Sequence, residues 1–145
     1  MKRTIWFDMD GTIADFYSVD NWLEKILNED TSPYAEAKPL FDSDEMDYLI
    51  SLLRKAGYDI GIISYAPHDC TLSMLFNTMA VKRDWLDRYF PYASKIHITT
   101  KATPKSTYYN EGDVLVDDEI ANIIDWMDKG GDAVQNFKAL YTFVA

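Results

Sequence analysis

The stretch IWFDMDGT, residues 5–12, is an apolar run that ends at two acidic residues and a glycine. Its first three residues are β-branched or aromatic, which favours a buried, pleated strand. Asp8 and Asp10 alternate along the extended chain, so their side chains are expected on the same side. Gly11 allows a tight turn whose backbone can approach a ligand closely. The stretch therefore predicts a central strand that presents paired carboxylates at one edge of a sheet.

Strand-like and helical segments alternate along the rest of the chain. Apolar runs predict further strands at 58–65 (YDIGIISY), 95–99 (KIHIT), 114–116 and 133–137. Helical spacing of apolar residues marks 22–27, 46–53, 72–79 and 120–127, and residues 85–90 are expected to continue the helical region that begins at 72. This alternation predicts an α/β fold, a Rossmann-like parallel sheet with helices on both faces. No repeat or flexible linker interrupts the pattern, so residues 1–145 are expected to form a single domain.

The amino-acid composition excludes several classes of protein. Of the 145 residues, 48% are hydrophobic, which is enough for a real core, and the net charge is −10. So acidic a chain does not suit a nucleic-acid polymer, whose binding requires neutralisation of many phosphates. Cys70 is the one cysteine, which excludes an internal disulfide framework. The apolar runs are too short for a signal peptide or a membrane span, so a cytoplasmic protein without membrane association is expected.

Polar residues follow three of the predicted strands. Asp8 and Asp10 follow the first, Ser64 closes the second, and Asp117 and Asp118 follow the strand at 114–116. In parallel sheets, ligands bind beyond the carboxyl ends of the strands, so these groups should converge. Four carboxylates are costly to hold together without a positive charge between them. Their oxygens suit Mg²⁺, which takes few protein carboxylates and keeps several waters.

Such a set can perform phosphoryl transfer. One carboxylate can attack phosphorus and form an aspartyl-phosphate. The other can give a proton to the leaving oxygen and later take one from water. A hydroxyl and a lysine ammonium can then bind the remaining phosphate oxygens.

The motifs FDMDGT, a serine closing a buried strand, a downstream lysine and VLVDDE resemble the haloacid dehalogenase-like (HAD) phosphohydrolase superfamily. They occur in that family's order and extend from Asp8 to Asp118. The resemblance implies that Asp8 is the nucleophile and a metal ligand. It implies that Asp10 is the general acid/base, with its backbone carbonyl on the metal. Ser64 would bind phosphate through its hydroxyl, with the backbone amides of Tyr65 and the next residue nearby.

The resemblance also implies the remaining Mg²⁺ and phosphate ligands. Asp118 would bind the metal directly, and Asp117 would bind it through water or orient the lysine. The phosphate-binding lysine is either Lys101 or Lys105. Lys105 is preferred because it lies nearer the double aspartate, as in the nucleotidase-like branch.

The substrate depends on the cap, a segment that closes over the phosphate in this family. Residues 15–41 are the candidate for a small helical cap, and their aromatic side chains could stack on a base or pack among themselves. The motifs most resemble the 5'(3')-deoxyribonucleotidase branch, although its cap is larger. A small phosphorylated substrate, such as a nucleoside monophosphate, is therefore expected. Other small phosphates, phosphopeptides and a non-catalytic phospho-ligand-binding module remain alternatives.

Overall fold

The computed structural model describes residues 2–144 and contains one five-stranded parallel sheet. The strands are β1 (Arg3–Phe7), β2 (Tyr58–Tyr65), β3 (Lys95–Thr99), β4 (Val114–Val116) and β5 (Asp132–Val134). They lie in the order β3-β2-β1-β4-β5, and every neighbouring pair is parallel. β1 is therefore central, and its carboxyl end lies between those of β2 and β4. This confirms the predicted α/β fold.

Five α-helices connect and flank the strands in the part of the chain that the structure describes. They are α1 (Trp22–Leu27), α2 (Ser32–Glu36), α3 (Ser43–Lys55), α4 (Leu72–Tyr89) and α5 (Ile120–Asp128). Three 3₁₀ helices accompany them, at Phe16–Ser18, Lys105–Tyr108 and Phe137–Phe143. Asp42 caps α3 by accepting a hydrogen bond from the Glu45 N–H at 3.0 Å. Within residues 2–144, none of the helices combines the length and apolar character required for a membrane span.

One of the predicted elements differs from that observed. The strand predicted at 133–137 is wrong in its second half, because β5 ends at Val134. Asn136 begins a 3₁₀ helix there, and its side chain accepts from the Ala139 N–H at 3.3 Å. The helical segment at 85–90 continues the one at 72–79, as predicted, and together they form the single helix α4, which ends at Tyr89.

The core has one layer on each face of the sheet. On one face, Phe7 and Ile62 pack with residues of α3 and α4 in the larger cluster. On the other face, Trp6 and Leu115 pack against Trp126 of α5. Helices thus cover both faces, and the carboxyl edge of the sheet is left for the site.

The segment 15–41 is joined to the body of the protein by buried side chains. Phe16 and Tyr34 are buried and stacked, with ring centroids 4.8 Å apart. Trp85 of α4 donates through Nε1 to the carbonyl oxygen of Ala37 at 2.8 Å. Most of the segment's aromatic surface is therefore used in packing.

Candidate active site

The register of β1 and β4 brings two of the predicted carboxylates together. Phe7 is paired with Val116, so Asp8 and Asp117 leave the sheet side by side. The Asp8 N–H donates to the carbonyl oxygen of Val116 at 2.9 Å, which extends the pairing by one step. Both side chains are almost wholly buried. The parallel register therefore fixes the geometry of this acidic pair.

Lys105 lies between these two carboxylates. Its Nζ donates to Asp8 Oδ1 at 2.7 Å and to Asp117 Oδ2 at 2.6 Å. Burial lowers the pKa of Lys105, but the two carboxylates outweigh it and hold the pKa above its ordinary value. Ser106 anchors the 3₁₀ helix that carries this lysine by donating to Asp125 of α5 at 2.6 Å. Lys105 is therefore a fixed cation.

The other candidate lysine lies elsewhere. Lys101 is exposed and borders a separate surface cavity together with His68 and Cys70. Tyr65, by contrast, contacts Lys105. Its hydroxyl oxygen accepts from the Lys105 backbone N–H at 3.1 Å, and its ring centroid is 5.0 Å from Nζ. The structure thus brings Lys105 into the site and leaves Lys101 outside it.

Three carboxylates form a group suited to a metal ion. Asp8, Asp117 and Asp118 each offer an oxygen within 4.8 Å of the other two. Burial, the hydrogen bond and charge of Asp8, and the charge of Asp117 together raise the pKa of Asp118 to about 7. A divalent cation at this point would remove that repulsion. Hard oxygen donors at this spacing fit Mg²⁺.

Asp117 and Asp118 differ in how far their oxygens are already satisfied. Asp117 Oδ2 also accepts from Asn122 Nδ2 at 3.1 Å, and Oδ1 accepts from the Glu119 N–H at 3.0 Å. Burial and the charge of Asp8 raise the pKa of Asp117 to about 6, against the opposing effect of Lys105. Asp118 has fewer partners, so of the two it has more capacity for a metal.

The Gly-Thr pair after Asp10 supports the same group. The Thr12 hydroxyl lies 3.0 Å from Asp8 Oδ2 and 3.3 Å from Asp118 Oδ1, and it accepts from the Asp118 N–H at 3.2 Å. Gly11 has a φ of +82°, and a Cβ there would lie 2.3 Å from Asp118 Oδ2. The motif was recognised from the sequence, but this positioning role of Thr12 was not predicted.

Asp10 and Ser64 meet at a second buried lysine that the sequence analysis did not single out. Lys82 of α4 donates through Nζ to Asp10 Oδ2 at 2.9 Å, Ser64 Oγ at 2.6 Å and the Tyr65 carbonyl oxygen at 2.9 Å. Burial raises the pKa of Asp10, and the charge of Lys82 opposes that rise. The Ser64 side chain is wholly buried behind the site. A lysine on the apolar face of α4 was the signal available in the sequence.

The carboxylates surround a cavity of about 60 Å³. Its lining consists of acidic, aromatic and amide side chains with one lysine: Asp8, Asp10, Tyr17, Tyr65, Lys105, Asp117, Asp118, Glu119 and Asn122. Pockets that enclose a whole small molecule have roughly 300–1,000 Å³. The cavity therefore suits one small group of a ligand, with the rest lying outside. Tyr17 is 54% exposed and is the residue of the segment 15–41 in this lining.

Comparison with known proteins gives a similarity of fold. No family model matches the chain, and no curated protein matches it in sequence. Among solved structures, the chain is similar to the crystal structure of a HAD family enzyme from Bacteroides thetaiotaomicron, with a TM-score of 0.53 and 10% identity. The alignment covers 92% of each chain. At this identity the similarity shows a shared fold.

Proposed function

We propose that this chain is a Mg²⁺-dependent phosphohydrolase of the HAD superfamily that cleaves phosphate monoesters through an aspartyl-phosphate on Asp8. The observation that carries the proposal is the grouping of Asp8, Asp117 and Asp118 within 4.8 Å, with Asp10 lining the same small cavity. The order of the four motifs and the similarity of fold support the same proposal.

Each residue of the site has its own role in the proposed reaction. An Asp8 carboxylate oxygen attacks phosphorus, and Asp10 protonates the departing ester oxygen. Asp10 then takes a proton from the water that hydrolyses the phospho-aspartate. Lys105 binds a phosphate oxygen and stabilises the charge that develops on it. Mg²⁺, when bound by Asp8, Asp118 and the Asp10 carbonyl, with Asp117 acting directly or through water, supplies charge neutralisation and orients the phosphate.

The substrate class follows from the size and the rim of the cavity. A volume of about 60 Å³ suits a phosphate group, so the alcohol part would lie outside, against Tyr17. An exposed aromatic ring there can stack on a nucleobase. We therefore favour a nucleoside monophosphate, the substrate of a 5'(3')-(deoxy)ribonucleotidase. Phosphopeptides are the alternative that an open site also admits.

The chemistry is tested with p-nitrophenyl phosphate and Mg²⁺. Wild-type protein should turn the ester over and lose activity in EDTA. Asp8→Asn should abolish turnover, because an amide cannot replace the carboxylate nucleophile. Asp20→Asn is the matched control, because Asp20 is an exposed acid that does not line the cavity, and it should retain full activity. Turnover by Asp8→Asn would exclude the covalent mechanism.

The substrate is tested by a panel of nucleoside monophosphates, sugar phosphates and phosphopeptides at equal concentration. The highest kcat/KM should fall among the nucleoside monophosphates. A preference for phosphopeptides would replace the nucleotidase assignment with a protein phosphatase. Binding of phosphorylated ligands without hydrolysis would identify the non-catalytic module instead.

A further inference from the structure

Lys82 is a charged residue in the buried interior, where a charge is costly to desolvate. Its side chain has no exposed surface, and it projects from the apolar face of α4 among Met74, Trp85 and Leu86. A buried ammonium is tolerated when its hydrogen bonds and its charge are both satisfied. The bonds to Asp10, Ser64 and the Tyr65 carbonyl meet that requirement.

These contacts use all the hydrogen-bonding capacity of the ammonium. Lysine has three N–H donors, and Nζ has three acceptors within 2.9 Å. The Tyr34 ring centroid lies 4.6 Å from Nζ and adds a cation–π contact. No donor is left for a substrate, and Lys82 is not among the residues that line the cavity. It is therefore not a catalytic residue.

The orientation of both of its side-chain partners depends on it. Lys82 holds Asp10 by Oδ2, so the other carboxylate oxygen of Asp10 is the one available to exchange a proton in the cavity. Because Ser64 Oγ accepts from Lys82, its own hydrogen is free to be donated elsewhere. Asp8, in contrast, is held by Lys105 and Thr12.

We propose that Lys82 is the positioning residue for proton transfer by Asp10, and that it thereby determines whether esters with poor leaving groups are cleaved. This inference rests on the proposed phosphohydrolase function. In the step concerned, the bond from Asp8 oxygen to phosphorus forms and the bond from phosphorus to the ester oxygen breaks. A proton passes from Asp10 to that ester oxygen. In the second half, water attacks phosphorus, Asp8 departs as a carboxylate, and Asp10 recovers the proton.

Leaving-group dependence separates this role from a merely structural one. p-Nitrophenolate departs readily without a proton, whereas the alkoxide of glycerol phosphate needs one. General-acid assistance contributes roughly 10²–10⁴-fold where it is needed. kcat/KM reports the steps up to formation of the phospho-enzyme, so the shared hydrolysis step does not obscure the comparison.

The test is Lys82→Met, which keeps the length and removes the charge and donors. kcat/KM for glycerol phosphate should fall about 100-fold more than kcat/KM for p-nitrophenyl phosphate. Thr78→Val is the matched control, one turn away on the same buried face. Within residues 2–144, Thr78 Oγ1 has no hydrogen-bond partner, so both activities should be retained. If the Met variant does not fold, as judged by circular dichroism, Lys82→Gln is measured by the same ratio.

A second arm uses Asp10→Asn. If Lys82 acts through Asp10, adding Lys82→Met to Asp10→Asn should leave the ratio of the two activities unchanged. Equal losses on both esters in Lys82→Met, or a further change of ratio in the double variant, would overturn the inference while leaving the proposed function intact. Failure of the wild-type protein to hydrolyse either ester would overturn both.

Discussion

Two buried lysines divide the site into halves with different charge balance. On the β4 side, one ammonium, Lys105, lies among the carboxylates of Asp8, Asp117 and Asp118. On the β2 side, Lys82 faces the single carboxylate of Asp10, and its remaining donors bind neutral oxygens. The first half carries excess negative charge, and the second is balanced. The difference indicates which half is built to bind a cation.

The same contrast distinguishes the half of the site that binds a ligand from the half that orients side chains. Burial and the neighbouring carboxylates raise the pKa values of Asp117 and Asp118 to about 6 and 7, and the β4 side has three carboxylates beside one lysine. Perturbed pKa values in such a cluster are typical of sites that receive a ligand. On the β2 side the three donors of Lys82 are all used, and this half contributes through orientation. Substitutions in the two halves should therefore have effects of different types as well as of different magnitudes.

Of the two lysine variants, Lys105→Met should give the larger effect. It removes the cation shared by Asp8 and Asp117, so two buried carboxylates repel each other and the phosphate loses its positive contact. We expect kcat/KM to fall about 10³-fold for both p-nitrophenyl phosphate and glycerol phosphate, the scale of losing one transition-state donor. The loss should not depend on the leaving group, unlike that of Lys82→Met.

The control is Lys101→Met, which removes an exposed lysine outside the cavity and should leave both activities unchanged. If Lys105→Met discriminated between the two esters as strongly as Lys82→Met, the two halves would not be functionally distinct.

Asp118→Asn should alter the response of stability to pH and to Mg²⁺. Because the folded pKa of Asp118, about 7, exceeds its unfolded value of 3.8, the metal-free fold has this carboxyl's full contribution below about pH 4. It loses the contribution as the pH rises through 7. The Asn variant lacks this loss, so its metal-free Tm at pH 8 should exceed that of the wild type.

Mg²⁺ provides the second measurement. At about ten times its Kd, the ion should raise the wild-type Tm by roughly 4 °C at pH 8. The rise should be absent in Asp118→Asn and unchanged in Asp20→Asn. Thermal melts in EDTA and in Mg²⁺ measure both. An equal Mg²⁺-induced rise in Asp118→Asn would place the ion elsewhere.

The elements that present the carboxylates could be predicted from local sequence. β1, β2 and β4 are short apolar runs, and their length and β-branched content are visible without any tertiary information. Once they are parallel, the meeting of Asp8 with Asp117 follows from topology. The end of β5 was mispredicted because the capping preference of Asn136 overrode the apolar continuation to Phe137.

Lys82 shows what local patterns cannot supply. Its helical spacing places it with Thr78 and Trp85 on the buried face, but lysines at such positions commonly extend to solvent. Only the tertiary placement of α4, which connects β2 to β3, brings its nitrogen to Asp10. The side-chain contact of Tyr65 with Lys105 likewise depends on a 3₁₀ helix distant in sequence. Contacts between residues far apart in the chain decided these features.

Tyr17→Ala should give the smallest effect, and it changes a residue that belongs to neither of the two lysine halves. Its ring packs edge-on against Phe16 and Trp22 at 5.3 and 5.1 Å, and it borders the cavity where the alcohol part of a substrate would lie. Loss of one stacking partner should raise KM for a nucleoside monophosphate about fivefold, with kcat unchanged. Acetyl phosphate, which has no ring to stack, should be unaffected.

Tyr48→Ala is the matched control for the Tyr17 variant, because Tyr48 is an exposed tyrosine on α3 that does not line the cavity. Its KM for both substrates should equal that of the wild type. A rise in KM for acetyl phosphate in Tyr17→Ala would mean that the phenol serves the phosphate itself. In that case the two lysine halves would not account for phosphate binding, and the segment 15–41 would belong to the reaction centre rather than to its rim.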